Sequence, residues 1–217
     1  MKTSRRRLLK AFTLIELIVV IVVVGIVIAM LLPATSHHPA KAPQINCVNN
    51  LKQVGLSFRI WASDHGGKFP METSVENGGT AERVAEGMVF PHFAVMSNEL
   101  GTPKIVSCPA DKQRMFASNF VSIADTNISY FVCLTARDGV SPETWLVGDR
   151  NVTNRFVPIR GVLNVPTNMP VGWSKQIHNA KGNIALADGS VQQLSCSALN
   201  KSLSWQTNAL LRLAMPE

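Results

Sequence analysis

The chain has 217 residues and a formal net charge of +7. Five of its 21 basic residues, Lys2, Arg5, Arg6, Arg7 and Lys10, crowd the first ten positions; the rest carries 16 basic against 14 acidic residues. No clustered basic face is visible beyond that block, which argues against nucleic acid as the primary partner, and about 185 residues remain beyond Leu32, enough for one domain with its own core.

Phe12 to Leu32, FTLIELIVVIVVVGIVIAMLL, is 21 residues long and carries one charge, Glu16. As a helix it spans roughly 30 Å, about one hydrocarbon core. In lipid every backbone N–H must be bonded internally, so helix is the state expected of a single span. The basic block before it predicts a cytoplasmic N-terminus, with everything after Pro33 across the membrane. An intramembrane carboxylate costs a few kcal/mol and needs a partner or a role. The plain alternative for Glu16 is a position at the headgroup level, near the helix start.

Pro33 kinks or ends this helix. Residues 34–44 hold Pro39 and Pro43 and read as a neck. His37 and His38 are adjacent there and read as solvated, since neighbouring positions do not share a helix face. From Gln44 a helical period returns: Ile45, Val48, Leu51, Gly55, Phe58 and Trp61, with Leu56 and Ile60 beside them. Gly66-Gly67 ends it, and a sheet is the expected partner of its apolar stripe. Residues 71–104 are a less patterned insert, with a turn at Asn77-Gly78-Gly79 and room for a helix over Glu82 to Phe93. Ile105 to Asp111 reads as a short strand, a cysteine and a turn. Phe116 to Ala136 is expected to hold strands, with Ile128 to Leu134 the best of them. Trp145 to Asn151 reads as a strand running into a polar loop. Pro158, Pro166 and Pro170 keep the next segment irregular or at a sheet edge.

The clearest β pattern comes last. Asn179 to Gly182 is a turn, Asn183 to Ala187 a strand, Asp188-Gly189 a type I′ hairpin turn, and Ser190 to Leu194 the returning strand. Leu199 to Leu213 reads as a short terminal helix. Trp61, Trp145, Trp173 and Trp205 read as core or subunit-contact residues.

Cys47, Cys108, Cys133 and Cys196 all lie beyond the apolar run. An even count in an exported domain permits two disulfides in three pairings, and no CxxC spacing points to zinc. His178 and Asp188 invite a catalytic or metal reading, but the turn alone accounts for Asp188 and Gly189, and His178 reads as fixing register beside it. No G-x-S-x-G, H-E-x-x-H, P-loop or dinucleotide fingerprint occurs. Asp111, Asp138 and Asp149 are candidate calcium ligands without EF-hand spacing. The expectation is therefore no enzyme, no cofactor and no metal.

Ala11-Phe12-Thr13-Leu14-Ile15-Glu16-Leu17 resembles the processing site of type IV prepilins and type II secretion pseudopilins. The basic leader, the small residue, Phe12 and a glutamate fifth from the cut all match, and Pro33 falls where many pilins kink. Ala11 stands where the family usually has glycine. Cys47-Val48-Asn49-Asn50-Leu51-Lys52-Gln53, Asp64 to Pro70, Cys108-Pro109-Ala110-Asp111, Gly148-Asp149-Arg150 and the H-x9-DG spacing of His178, Asp188 and Gly189 resemble one branch of that family. The resemblance implies an α+β, pilin-like fold: a long hydrophobic N-terminal helix with a C-terminal antiparallel sheet packed on its second half. It divides the chain into a leader (1–11), a membrane and filament-core helix (12–33), the neck (34–44) and an exported domain (45–217).

By the same resemblance, the chain is cut between Ala11 and Phe12, methylated at Phe12 and assembled through Glu16. It is placed in a bacterial inner membrane, with its C-terminal domain periplasmic or, after assembly, at the surface. Prepilin peptidase, a membrane assembly platform, sister pilins and copies of itself are the implied partners. Cys47 with Cys108 is the first-choice disulfide. Two alternatives stand beside this reading. Ser4 to Lys10 also matches a twin-arginine export signal, which implies a soluble exported enzyme or binding protein. A plain membrane-anchored receptor with an uncut helix is the other.

Overall fold

A computed structural model describes residues 13–31, 42–154, 157–158, 161–206 and 210–216. The chain divides into two compact units, Met1–Pro39 and Ala40–Glu217.

The first unit is described as one helix, α1, Leu14–Leu31. Its 18 residues rise about 27 Å. Among the described residues no helix is long and apolar enough to cross a membrane. The two ends of the expected 21-residue span, Phe12 and Leu32, lie outside the described residues, as do Pro33, His37, His38 and Pro39. The side chains of α1 are exposed all round, from Leu14 to Met30. A helix apolar on every face is built to be covered.

The second unit opens with α2, Ala42–Asp64. Helix therefore begins inside the expected neck. Pro43 fits there because a first-turn N–H has no partner in any case. Gly67 N–H returns to Ala62 C=O and closes the helix, where the glycine pair predicts its end. The buried stripe of α2 is Cys47, Leu51, Val54, Phe58, Trp61 and Ala62. Ile45, Leu56 and Ile60, which the sequence period assigns to or beside that stripe, are exposed.

The insert and the sheet both pack on α2. Residues 65–129 form turns and two short helices, α3 (Phe90–Ala94) and α4 (Ser97–Leu100). Phe58 meets Phe69 and Phe93 edge to face there. The helix expected over Glu82 to Phe93 is instead a 3-10 turn at Ala81–Ala85 followed by α3. Ile105 is not in a strand: Pro103–Val106 is a 3-10 turn, started by a proline that fixes φ.

The strands are β1 (Tyr130–Cys133), β2 (Trp145–Asp149), β3 (Val152–Asn154), β4 (Val157–Pro158), β5 (Gly161–Pro166), β6 (Gly172–Trp173), β7 (Lys181–Leu186), β8 (Val191–Ser195) and β9 (Leu210–Met215). Six form one antiparallel sheet in the order β5-β9-β1-β2-β7-β8, and β4-β3-β6 form a small second sheet. Within 116–136 only β1 forms. The prolines act as expected: Pro166 ends β5, an edge strand. β1 and β2 are buried at every residue because they lie mid-sheet.

The tail corrects the sequence reading. A helix, α5 (Cys196–Ser204), is followed by strand β9, which inserts between β1 and β5. Leu211 and Leu213 alternate with polar Arg212, a period-two pattern that the leucine count obscures. Trp145, Trp61 and Trp173 are buried, whereas Trp205 is half exposed with Lys201 over its ring. Trp145 donates its ring N–H to Ser202 Oγ at 2.9 Å, which ties α5 to β2.

Candidate functional site

Two places carry the residues singled out by sequence. The first is the start of α1. Thr13 N–H donates to Glu16 Oε2 at 2.9 Å, Thr13 Oγ1 donates to the same oxygen at 2.7 Å, and Glu16 N–H returns to Thr13 Oγ1 at 3.4 Å. This is a capping box, with Thr13 as N-cap and Glu16 at the third helical position. It satisfies backbone donors that lipid would leave bare. Sequence reasoning treated Glu16 alone and missed Thr13, although T-x-x-E before an apolar run is the signature of the box. Ala11 and Phe12 lie outside the described residues.

The second place lies at one end of the sheet, in the second unit. Cys47 on α2 and Cys108 form a disulfide closing a separation of 61 residues. Cys133 and Cys196 are free, Cys133 buried in β1 and Cys196 at the start of α5, so the permitted second bridge is absent. The turn after Cys108 is shut by Asp111 N–H to Cys108 C=O at 2.9 Å. Arg150 then clamps the Asp111 carboxylate with two bonds, Nε to Oδ2 at 2.6 Å and Nη2 to Oδ1 at 2.8 Å. Asn50 Nδ2 donates to Ser107 C=O at 3.1 Å. The Asn-Asn, Cys-Pro-Ala-Asp and Gly-Asp-Arg stretches thus converge on the disulfide.

Asp149 ends β2, and its side chain is fully buried. Gly148 before it admits no side chain, because a Cβ there would lie 2.7 Å from the Phe131 ring. Asp149 Oδ2 accepts from Asn183 N–H at 2.7 Å and Asn183 Nδ2 at 2.9 Å. Burial pushes the Asp149 carboxyl up to about 7, against these bonds, which hold it down. His178 Nε2 stands 3.4 Å from Cys108 Sγ and 3.5 Å from Asp149 Oδ2. Its side chain is 2% exposed, and burial lowers its pKa while the Asp111 charge opposes that shift.

His178, Asn179 and Ala180 all have positive φ, at 53°, 52° and 60°. Such a run costs energy unless its surroundings impose it. Asn151 is a residue that sequence reasoning passed over. Its Nδ2 donates to the carbonyls of Ser174, Ile177 and Lys181, each at 3.1 Å, and so grips the turn from both sides.

Asp188 and Gly189 lie elsewhere, in the β7–β8 turn. Gly189 has φ 86°, but Asp188 is not left-handed, so the turn is not type I′. Gly189 N–H closes on Leu186 C=O at 2.9 Å, and Asp188 Oδ1 accepts from Ser190 N–H at 2.7 Å. Arg59 Nη1 donates to Asp188 C=O at 2.7 Å, which docks the turn on α2. His178 and Asp188 are therefore not a pair; the acid beside His178 is Asp149. The three candidate calcium ligands do not converge among the described residues: Asp111 is held by Arg150, Asp149 is buried beside Asn183, and Asp138 lines a surface cleft with Arg59 and Asp188.

Replacing His178 by alanine in the oxidised protein is expected to lower stability by about 1–3 kcal/mol, through lost packing against the disulfide and Asp149. His178→Asn should cost less, since asparagine tolerates positive φ. Urea unfolding of both variants checks this.

A family model described as the prokaryotic N-terminal methylation motif matches residues 6–32. Over 70 residues the chain is 30% identical to the ComG operon protein 3 homolog of Bacillus licheniformis, covering 32% of this chain and 72% of that protein. No solved structure matches. With a capped apolar helix at its start, an antiparallel sheet at its end and this motif and relative, the chain belongs to the type IV pilin-like family.

Proposed function

We propose that this pilin-like chain is a structural subunit, pilin or pseudopilin, of a type IV pilus-like or type II secretion filament. Prepilin peptidase cuts between Ala11 and Phe12, Phe12 is methylated, and the subunit assembles through its N-terminal helix with copies of itself and sister pilins on a membrane platform. The leader, residues 1–11, stays cytoplasmic; the helix, 12–33, anchors in the inner membrane and then in the filament core; the exported domain, 45–217, faces outward.

The observation that carries this reading is α1 itself. It is an apolar cylinder exposed on every side, with a single carboxylate folded onto its first turn. Such a surface is stable only under lipid or other helices. A carboxylate at its start suits pairing with a cation, and a freed amino group at Phe12 is the nearest cation the cut creates. No catalytic role is needed for any residue described above.

Mass spectrometry of the N-terminus of the protein from its native membrane is the test. A chain beginning with N-methylated Phe12 is expected. A start after Ser36 would support twin-arginine export instead, and an intact Met1 would support the plain anchor.

A further inference from the structure

The end of the second unit that carries the start of α2 exposes cations and apolar groups together. Lys112 lines one surface cleft with Pro43, Gln44 and Pro109, and Lys52 and Lys181 line a neighbouring one with Ile45 and Val48. The three lysines are exposed and stand far apart in the sequence, so no basic run announces them. Among the described residues no carboxylate lines either cleft. Asp111, beside Lys112 in the chain, is buried and clamped by Arg150.

The apolar groups are large. Ile45 is 58% exposed, Met115 77% and Phe116 55%. Arg114 Nη2 donates to Pro216 C=O at 3.2 Å, just past β9. That bond holds Met115 and Phe116 at the end of the sheet where β2 and β9 finish and β1 and β7 begin. Lys181 is the first residue of β7 and stands at the same end. Apolar side chains left in water beside unpaired cations mark a surface that meets something else.

Chain connectivity points to what that is. Ten residues, 32–41, join α1 to α2. Fully extended, they span at most roughly 36 Å. A membrane that holds α1 is therefore within reach of the end where α2 starts. An anionic bilayer answers both features, with phosphates for the lysines and an acyl boundary for the apolar side chains.

We propose that this end of the second unit docks on an anionic phospholipid bilayer, with Lys52, Lys112 and Lys181 on headgroup phosphates and Met115 and Phe116 in the acyl boundary. The docking rests on the reading of α1 as a membrane helix. It gives the unassembled subunit a second lipid contact, which is lost when the subunit leaves the bilayer for a filament.

The test uses the full chain with Phe116→Trp, reconstituted in vesicles of phosphatidylcholine with or without phosphatidylglycerol. Lipids brominated near the carbonyl quench an indole at the acyl boundary, and the chain without the substitution supplies the background of the four native tryptophans. Resistance to alkaline carbonate extraction reports on α1 separately. The added tryptophan should be quenched in phosphatidylglycerol vesicles and much less in phosphatidylcholine alone. Salt at roughly 1 M, where the Debye length is about 3 Å, should relieve the quenching. Lys112→Ala and Lys181→Ala should each lower the ratio of docked to free second unit about fivefold, the factor a lysine contributes beside an anionic surface. Both side chains are exposed, so circular dichroism should not change.

A chain that resists carbonate while its added tryptophan escapes quenching overturns the docking and leaves the reading of α1 standing. A chain that carbonate extracts overturns both. Quenching indifferent to lipid charge and to both lysines also overturns the docking. So does shielding of the added tryptophan from iodide that rises with the protein-to-lipid ratio and not with phosphatidylglycerol, which assigns the face to a second copy of the chain.

Discussion

Glu16→Ala is expected to leave the mature subunit in the membrane and absent from sheared filaments. The substitution removes the one charge in the apolar run, so insertion should be as good or better. It also removes the acceptor for Thr13 N–H, which weakens the helix start. Lipid tolerates that, because no alternative to helix is available there. Assembly is different. In a staggered bundle a neighbour's cationic N-terminus at Phe12 can approach Glu16. Away from bulk water, opposite unit charges a few ångströms apart attract far more strongly than in solution. Losing that attraction at each subunit contact should weaken association enough to abolish the filament. Glu16→Gln separates charge from capping. Glutamine still accepts from Thr13, so a filament lost in both variants assigns the role to the charge. A filament kept in Glu16→Gln assigns it to the cap, and a filament kept in both returns the helix to a plain anchor.

Cys47→Ala/Cys108→Ala should be the most destabilising change in the second unit, Ala40–Glu217. The bridge closes a 61-residue separation. Chain entropy alone gives about 4 kcal/mol for a loop of that length. For a domain of this size such a loss lowers Tm by roughly 8–16 °C. The bridge also ties α2 to the turn that Arg150 and Asp111 lock, so its loss should reach β2 and the His178 turn. Thermal unfolding of variant and oxidised wild type compares the two directly. Thiol titration of the denatured, unreduced wild type should find two reactive groups, Cys133 and Cys196. Four would mean the bridge does not form in the protein, and a variant as stable as wild type would leave it without a structural role.

Much of the organisation was legible because it rests on local physics. The apolar run, the glycine stop after α2, the strand around Phe131 and the prolines at a sheet edge follow from hydropathy period and backbone freedom. Errors gathered where tertiary partners decide. Ile45 and Ile60 match a helical stripe as well as Cys47 and Val54 do, yet only the latter pair is covered once sheet and insert are in place. Leu210–Met215 carries the leucines of a helix but becomes a strand because β1 and β5 leave a slot between them. The Asp188-Gly189 turn took a different hand at Asp188 once the Asp188 side chain accepted from Ser190 N–H.

The sequence by itself determined that residues 12–32 are an apolar, singly charged segment carrying an N-terminal methylation motif, because hydropathy and a linear motif are local properties of the chain. It offered Cys108 as the first-choice partner of Cys47 among three possible pairings, and the structure contains that bridge. Only the tertiary structure decided what surrounds that bridge. His178, Asp149 and Cys108 lie far apart in the chain, and their distances of 3.4 and 3.5 Å arise from β2, a left-handed turn held by Asn151, and a loop clamped by Arg150. A carboxylate's burial and an imidazole's neighbours are properties of packing among distant segments, and no local pattern encodes them.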